Sequence, residues 1–412
     1  MQGLAVAVFV ATYVAMAVGR LPRLRTDRAG FALMAVALLL FGGGAAIENV
    51  GRMIDTSTLL LLFGLMVVSG QFGASGFYDG AAAAIAYSPG SPLRLLVLTV
   101  VVAGGLSAVL ANDVIAFAMT PVLCEGLRRR GLDPRPYLIA LAAATNAGSA
   151  ATVIGNPQNI FISQLGKLDF GRFLWLCGPP ALAAMGVVVL VTWFVWRGRF
   201  ETTPRPLGID ETPVPLARDR RQFVKGLIGV GALLALFATP LPREVAALAV
   251  AALLMASRRI ASRELIAAVD WNLLVLFACL FVVTGAFAET EIAAKLFAEI
   301  ALAGWLPDRL SLLVPLAVVG SNTIGNVPAV VLLLQVWQNP PQEALYGLAL
   351  VSTLAGNFLL VGSLANLIVV ERAASVGVRL GFLEHAKCGV PVTAVTIALA
   401  ALWLMFLGAM AW

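Results

Sequence analysis

The sequence is short of charge, of histidine and of clustered cysteine, and each shortage excludes a class of function. Only 12% of its 412 residues are Asp, Glu, Lys or Arg, about half of the roughly 25% usual in a soluble domain. With 60% hydrophobic residues and a mean hydropathy of +0.93, the chain cannot cover a core with polar surface, and its solvent is lipid. His385 is the one histidine, so no histidine-based triad or metal centre can be assembled. Cys124, Cys177, Cys279 and Cys388 stand far apart, which supports neither a zinc cluster nor a disulfide framework. No Gly-x-x-x-x-Gly-Lys-Ser/Thr segment occurs, so the chain does not itself hydrolyse ATP. Without a His, Cys or paired-carboxylate constellation, a membrane-embedded enzyme is disfavoured. No cofactor is expected beyond a coupling H+ or Na+.

What is present is a series of apolar runs. A crossing takes about 20 apolar residues, and the candidates are 3–19, 30–48, 57–73, 136–162, 173–196, 223–240, 244–257, 271–288, 344–370 and 389–410. Two longer stretches, 93–125 and 309–337, carry polar residues near their middles and read as re-entrant hairpins. Shorter pieces at 77–88 and 291–302 precede them as interfacial helices. The expected fold is an all-α polytopic membrane protein with about ten transmembrane helices, two re-entrant hairpins and two broken helices. With the 197–222 linker in the cytoplasm, 22 of the 28 Lys and Arg fall inside, as the positive-inside rule asks. The N-terminus is then outside and the cell (inner) membrane is the location. The net charge of +6 is a topology signal, not a nucleic-acid patch. Arg20, Arg23 and Arg25 follow the first run, so 3–19 reads as a retained span, not a signal peptide.

The two halves resemble each other. Leu59–Phe72 (LLLLFGLMVVSGQF) and Leu274–Phe287 (LVLFACLFVVTGAF) share seven identities. Asn112 then aligns with Asn322, Thr145-Asn-Ala-Gly148 with Thr353-Leu-Ala-Gly356, and Gly155-Asn-Pro-Gln-Asn159 with Gly362-Ser-Leu-Ala-Asn366. The organisation expected is a first repeat over 1–196 (hairpin 93–125, broken helix 136–162) and a second over 223–412 (hairpin 309–337, broken helix 344–370). Five crossings in the first repeat insert the second upside down, and such inverted repeats place their sites at midplane breaks.

Irregular backbone at membrane depth is tolerated where it lines a cavity or is buried in protein. Opened helices expose carbonyls for cations and N–H groups for anions. The candidate substrate- and ion-binding residues are therefore Asn112, Asp113 and Thr120 of the first hairpin and Asn146, Gly155, Asn156 and Asn159 of the first broken helix. Their second-half counterparts are Ser321, Asn322, Thr323 and Asn326, then Asn357, Gly362, Ser363 and Asn366. Asp113 is the one acid placed deep in an apolar stretch. Intramembrane acids usually serve function, so it is the candidate coupling residue, although an Asp can also cap a helix. His385, near Glu384 and Lys387, reads as a solvated or interfacial histidine.

At these residues the chain resembles the ion transporter superfamily of arsenite efflux pumps, divalent-anion/sodium symporters and citrate carriers. Ser321-Asn322-Thr323 is similar to the hairpin-tip signature of the symporters, whereas Ala111-Asn112-Asp113 departs from it. Asn112-Asp113 through Thr120-Pro121, and Asn326-Val327-Pro328, are closer to the arsenite pumps. The resemblance implies a scaffold domain, a moving transport domain carrying hairpins and broken helices, and often a homodimer. A cytoplasmic ATPase subunit is a further candidate partner, and a channel-like pore is a further class. No Arg or Lys is expected at the depth of Asp113. A dianion there would be repelled unless a cation intervened. The leading reading is thus proton-coupled efflux of arsenite or antimonite. Sodium-coupled symport of an anion (dicarboxylate, citrate or sulfate) and sodium/proton antiport are the alternatives.

Overall fold

A computed structural model describes residues 2–18, 26–200, 219–337 and 339–412. The first half runs through α1 (Gln2–Val18), α2 (Arg28–Phe41), α3 (Ile47–Met53), α4 (Thr56–Ala74), α5 (Phe77–Ala86), α6 (Pro92–Ser107), α7 (Asn112–Arg129), α8 (Arg135–Ser149), α9 (Pro157–Leu165) and α10 (Phe170–Trp196). The second runs through α11 (Arg220–Phe237), α12 (Arg243–Met255), α13 (Ser262–Ala267), α14 (Trp271–Ala288), α15 (Glu291–Leu302), α16 (Leu310–Thr323), α17 (Asn326–Val336), α18 (Gln342–Ala355), α19 (Leu364–Ser375) and α20 (Phe382–Phe406). Each helix of the first half has its mate ten places later, and no strand occurs among the described residues. The α6–α7 and α16–α17 pairs are the hairpins, and α8–α9 and α18–α19 are the broken helices. Of the expected linker, 201–218 lies outside the described residues, as do Arg20, Arg23 and Arg25.

The repeat extends to how helices begin. Asp55 accepts from the Thr58 N–H at 3.1 Å and opens α4, and Asp270 accepts from the Leu273 N–H at 3.0 Å and opens α14. Each carboxylate satisfies an N–H that has no partner within its helix. Pro134 and Pro341 stand at the N-caps of α8 and α18. Pro157 occupies the first turn of α9, where a missing N–H costs nothing.

The packing has the same exchange symmetry. α4 lies on α12 as α2 lies on α14, α1 on α2 as α11 on α12, and α6 on α8 as α16 on α18. α10 and α20 pack on each other. α8 is buried on every side from Pro136 to Ser149, and α18 from Ala344 to Ala355, so the two broken helices form the centre. The first hairpin reaches that centre through glycine: a Cβ on Gly148 would lie 2.0 Å from the Gly104 carbonyl oxygen. Among the described residues, α4, α14, α20 and the helix from Phe170 are by length and composition long and apolar enough to cross a membrane singly.

Three details differ from the sequence expectation. α2 ends at Phe41, not 48, and the following residues form the short α3, mate of α13. The hairpin alignment shifts: Gly325, at φ +97°, stops one arm and lets α17 start at Asn326, so the mate of Asn112 is Asn326, and Asn322 belongs to the last turn of α16. The broken helices align with Asn146 opposite Thr353, one residue from the sequence match, because the Pro134 and Pro341 caps fix the register.

Candidate functional site

The centre of the molecule is a polar network in which each broken helix is closed by the other. Asn146, near the end of α8, donates from Nδ2 to Asn357 Oδ1 at 2.8 Å and Asn366 Oδ1 at 3.1 Å. Its Oδ1 accepts from Ser363 Oγ at 2.8 Å. The mate arrangement is built around Thr353. Its hydroxyl lies 3.2 Å from Asn159 Oδ1 and accepts from Asn156 Nδ2 and Gln158 Nε2, each at 3.2 Å. Asn159 Nδ2 reaches the carbonyls of Ser149 and Thr152 across the first break, as Asn366 Nδ2 reaches those of Gly356 and Leu359 across the second. Asn146, Asn156, Asn159, Asn357, Ser363 and Asn366 are all at most 2% exposed, so these bonds satisfy backbone that lipid could not.

The hairpin tips rest on this network. The Asn112 N–H donates to the Gly155 carbonyl at 3.4 Å. Asn322 donates to the Val318 and Ala355 carbonyls at 2.9 Å and accepts from the Leu359 N–H at 2.9 Å. Gly362 leaves room for the second tip, where a Cβ would sit 2.4 Å from Asn322 Oδ1, and Gly155 leaves room within the first break, where a Cβ would sit 2.3 Å from the Ser149 carbonyl oxygen. Asn326 accepts from the Val327 N–H, and Ser321 donates to the Ser352 carbonyl. Two candidates stand apart. Thr120 lies two turns down α7 with its hydroxyl on the Ala116 carbonyl, and Thr323 is exposed, bonded within α16.

Asp113 faces a cavity of about 600 Å3 between the first hairpin, the first break, α4 and the α13–α14 corner. Asn112, Asn156, Tyr78, Glu264 and Asp270 supply the other polar side chains. Asn112 is 3% exposed and its Oδ1 has no partner among the described residues. Glu264, Ala267 and Ala268 are exposed at the mouth. Among the described residues, no Lys or Arg lines this cavity. A second cavity of about 630 Å3, between the second hairpin and α15, has no charged residue among its described lining residues and is mostly aliphatic.

Several participants were not among the sequence candidates. Ser149, Gln158 and Thr353 complete the network, and Glu264 and Asp270 face Asp113 from the other repeat. Thr353 and Gln158 stood inside the repeated segments. The carboxylates at the α13–α14 corner left no local signal. His385 is not solvated: it stands in the first turn of α20, 4% exposed, with Nε2 3.2 Å from the Asn357 carbonyl oxygen. The first turn of α20 packs on the second break, which removes it from water. An arginine does reach one tip, because Arg28 Nη1 is 2.8 Å from the Cβ position of Gly325.

A family model described as Citrate transporter (CitMHS) matches residues 13–339. The 46 kDa membrane protein of Mycobacterium leprae is 28% identical over 99% of both chains. The Silicon efflux transporter LSI3 of Oryza sativa subsp. japonica is 28% identical over 92% of both. Among solved structures, the Alcanivorax borkumensis YdaH transporter shares the fold with a TM-score of 0.60 at 15% identity, covering 98% of each chain.

Proposed function

The chain belongs to the citrate transporter family and is a secondary transporter, not an enzyme, and from that premise we propose that it exports a small uncharged hydroxide, arsenous or antimonous acid, in exchange for protons. The observation that carries this reading is the character of the cavity. Its polar groups are neutral amides and a phenol beside three carboxylates, with no cation among the described lining residues. Two like charges about 6 Å apart at an effective dielectric of about 20 repel by roughly 3 kcal/mol. Citrate, with three charges, meets that repulsion several times over. A neutral hydroxide meets none, and its O–H groups match amide oxygens such as the unpartnered Oδ1 of Asn112. The relative named for silicon efflux fits the same chemistry, since silicon dissolved in neutral water is an uncharged hydroxide.

Asp113 is the coupling group. Glu264 and Asp270 line the same cavity, and a proton held on Asp113 removes one of the crowded charges. With the basic loops inside, the cavity opens to the cytoplasm, the N-terminus is outside and the membrane is the inner one. The solute enters from the cytoplasm, the hairpins and broken helices carry it across against a scaffold of α1, α2, α4, α11, α12 and α14, and a proton returns on Asp113. Net movement is one positive charge inward per neutral solute.

The test is uptake into everted membrane vesicles with an imposed pH gradient, interior acidic, and no ATP. Arsenite accumulates and collapse of the gradient stops it. Uptake that requires ATP assigns the energy to an ATPase subunit, and uptake that never saturates makes the protein a channel. The family name supports a second reading, sodium-coupled anion transport, in which the carboxylates hold Na+. Sodium-dependent citrate uptake with no arsenite flux selects it.

A further inference from the structure

We propose that Arg243 is the counter-charge of Asp113 in the opposite-facing conformation, so that the carboxylate exchanges a like-charged neighbourhood for an arginine as the carrier turns over. This rests on the alternating-access reading above.

Arg28 and Arg243 are mates. Each opens its helix, α2 and α12, and they are separated by the same interval as the capping pair Asp55 and Asp270. Their present surroundings differ. Arg28 stands against the second hairpin tip, at Gly325, the residue before Asn326. Arg243 is not at the first tip. It donates to the Leu168 carbonyl in the loop between α9 and α10, and the charged and titratable groups around it are Asp169, Tyr346 and Glu244. Its Nη1 is buried with no partner among the described residues. The same loop region is tied to α12 by Gln164 Nε2 and Glu244 Oε2, 3.0 Å apart.

The hairpins show the same inequality. α17 packs firmly on α14, whereas α7 touches α4 only lightly and the cavity lies between them. An inverted-repeat carrier passes between its two facings by moving one bundle as a body against the other. Because the scaffold is itself a mated pair, the opposite facing interchanges the surroundings of the two tips. The interchange carries Ala111, mate of Gly325, to Arg243. Where the second tip has Val327, the first has Asp113, so a carboxylate arrives beside a guanidinium with a spare N–H.

The consequence is directional. Ionised Asp113 leaves Asp270 and Glu264 for Arg243, which draws the loaded carrier outward. A proton from outside water then binds the carboxylate, the ion pair breaks, and neutral Asp113 returns to the acidic cavity, where the proton passes to cytoplasmic water. Arg243 touches no solute and acts as a positioning residue.

The test uses the full chain with its four cysteines replaced and a protease site inserted between residues 200 and 219, so that a disulfide between halves keeps them joined after cleavage. The pair Gln164→Cys/Glu244→Cys reports the present conformation, and Ala111→Cys/Arg243→Cys reports the other. Both pairs join on oxidation. With the first pair as reporter, Arg243→Gln raises the joining rate at least threefold and Arg243→Lys leaves it near the parent. Asp113→Asn raises it equally, and the two changes together add nothing. Absence of the Ala111–Arg243 disulfide, or a reporter rate unmoved by Arg243→Gln, overturns the proposal. Neither readout involves arsenite or protons, so a wrong solute leaves both intact, while intact arsenite antiport with no cross-link overturns the ion pair alone.

Discussion

Replacing Asn146 by Ala removes a side chain of the first repeat, yet the damage belongs in the second. The substitution deletes the bonds to Asn357 Oδ1, Asn366 Oδ1 and Ser363 Oγ. Buried side-chain hydrogen bonds in membrane proteins are worth about 0.6–2 kcal/mol each, so three give roughly 2–6 kcal/mol. The lower half of that range is expected, because Asn357 and Asn366 keep their amide bonds to the Ala143, Gly356 and Leu359 carbonyls. Hydrogen–deuterium exchange in nanodiscs reads the location. Residues 356–363 lose protection in Asn146→Ala, while 150–156 change little. The mate substitution Thr353→Val does the reverse, loosening 150–159, since it removes the hydroxyl that holds Asn156, Gln158 and Asn159. A loss of protection confined to the mutated repeat, or destabilisation below about 0.5 kcal/mol in both variants, refutes the reciprocal closure of the two breaks.

Three further outcomes are expected. Gly148→Ala drives a methyl into the Gly104 carbonyl. Overpacking of this kind costs about 1–3 kcal/mol or more, so the thermal midpoint in detergent falls by several degrees, whereas Gly186→Ala, with open space around it, leaves it unchanged. Thr120→Val leaves arsenite KM and kcat within about twofold, because that hydroxyl bonds only to the Ala116 carbonyl in its own helix. At the loop before α8, burial pushes the Asp133 carboxyl up, but hydrogen bonds from Arg135 and the charges of Arg135 and Arg199 outweigh it and hold the group below the usual carboxylate range. A depressed native value means the stabilisation is whole above the ordinary Asp range near pH 4 and fades as pH falls below it. Asp133→Asn therefore lowers the melting temperature at pH 7 and narrows the gap to the parent as pH drops toward 3. A constant gap across that range contradicts the linkage.

How far the sequence discloses this molecule follows from the range of each interaction. The crossings, hairpins and breaks are written in local composition: apolar runs interrupted by Asn-Asp, Gly-Asn-Pro and Ser-Asn-Thr. The pairing of halves is visible where many large side chains recur, as in α4 and α14. It is also present in Cys177-Gly-Pro-Pro180 and Cys388-Gly-Val-Pro391, which occupy matching places in α10 and α20. Register at the tips is not visible, because one Asn beside a turn looks like another until Gly325 fixes where α17 begins. A one-residue slip in α8 against α18 rotates a side chain by about 100°, which separates Asn146 from its true mate Thr353. The hydrogen bonds of the site join residues about 200 positions apart, and the facing of Asp113 and Asp270 exists only once the repeats pack. His385 is polar among polar neighbours in sequence, and only the approach of α20 to the second break buries it.

In the proposed cycle Asp113 couples proton entry to solute exit. The direct measurement compares the parent with Asp113→Asn in proteoliposomes, reading arsenite exchange at equal pH and arsenite accumulation against an imposed pH gradient. In the proposed cycle the variant keeps exchange within about tenfold of the parent but accumulates nothing under the gradient, since its amide offers no exchangeable charge. Accumulation equal to the parent's, with the pH gradient still consumed, would contradict it.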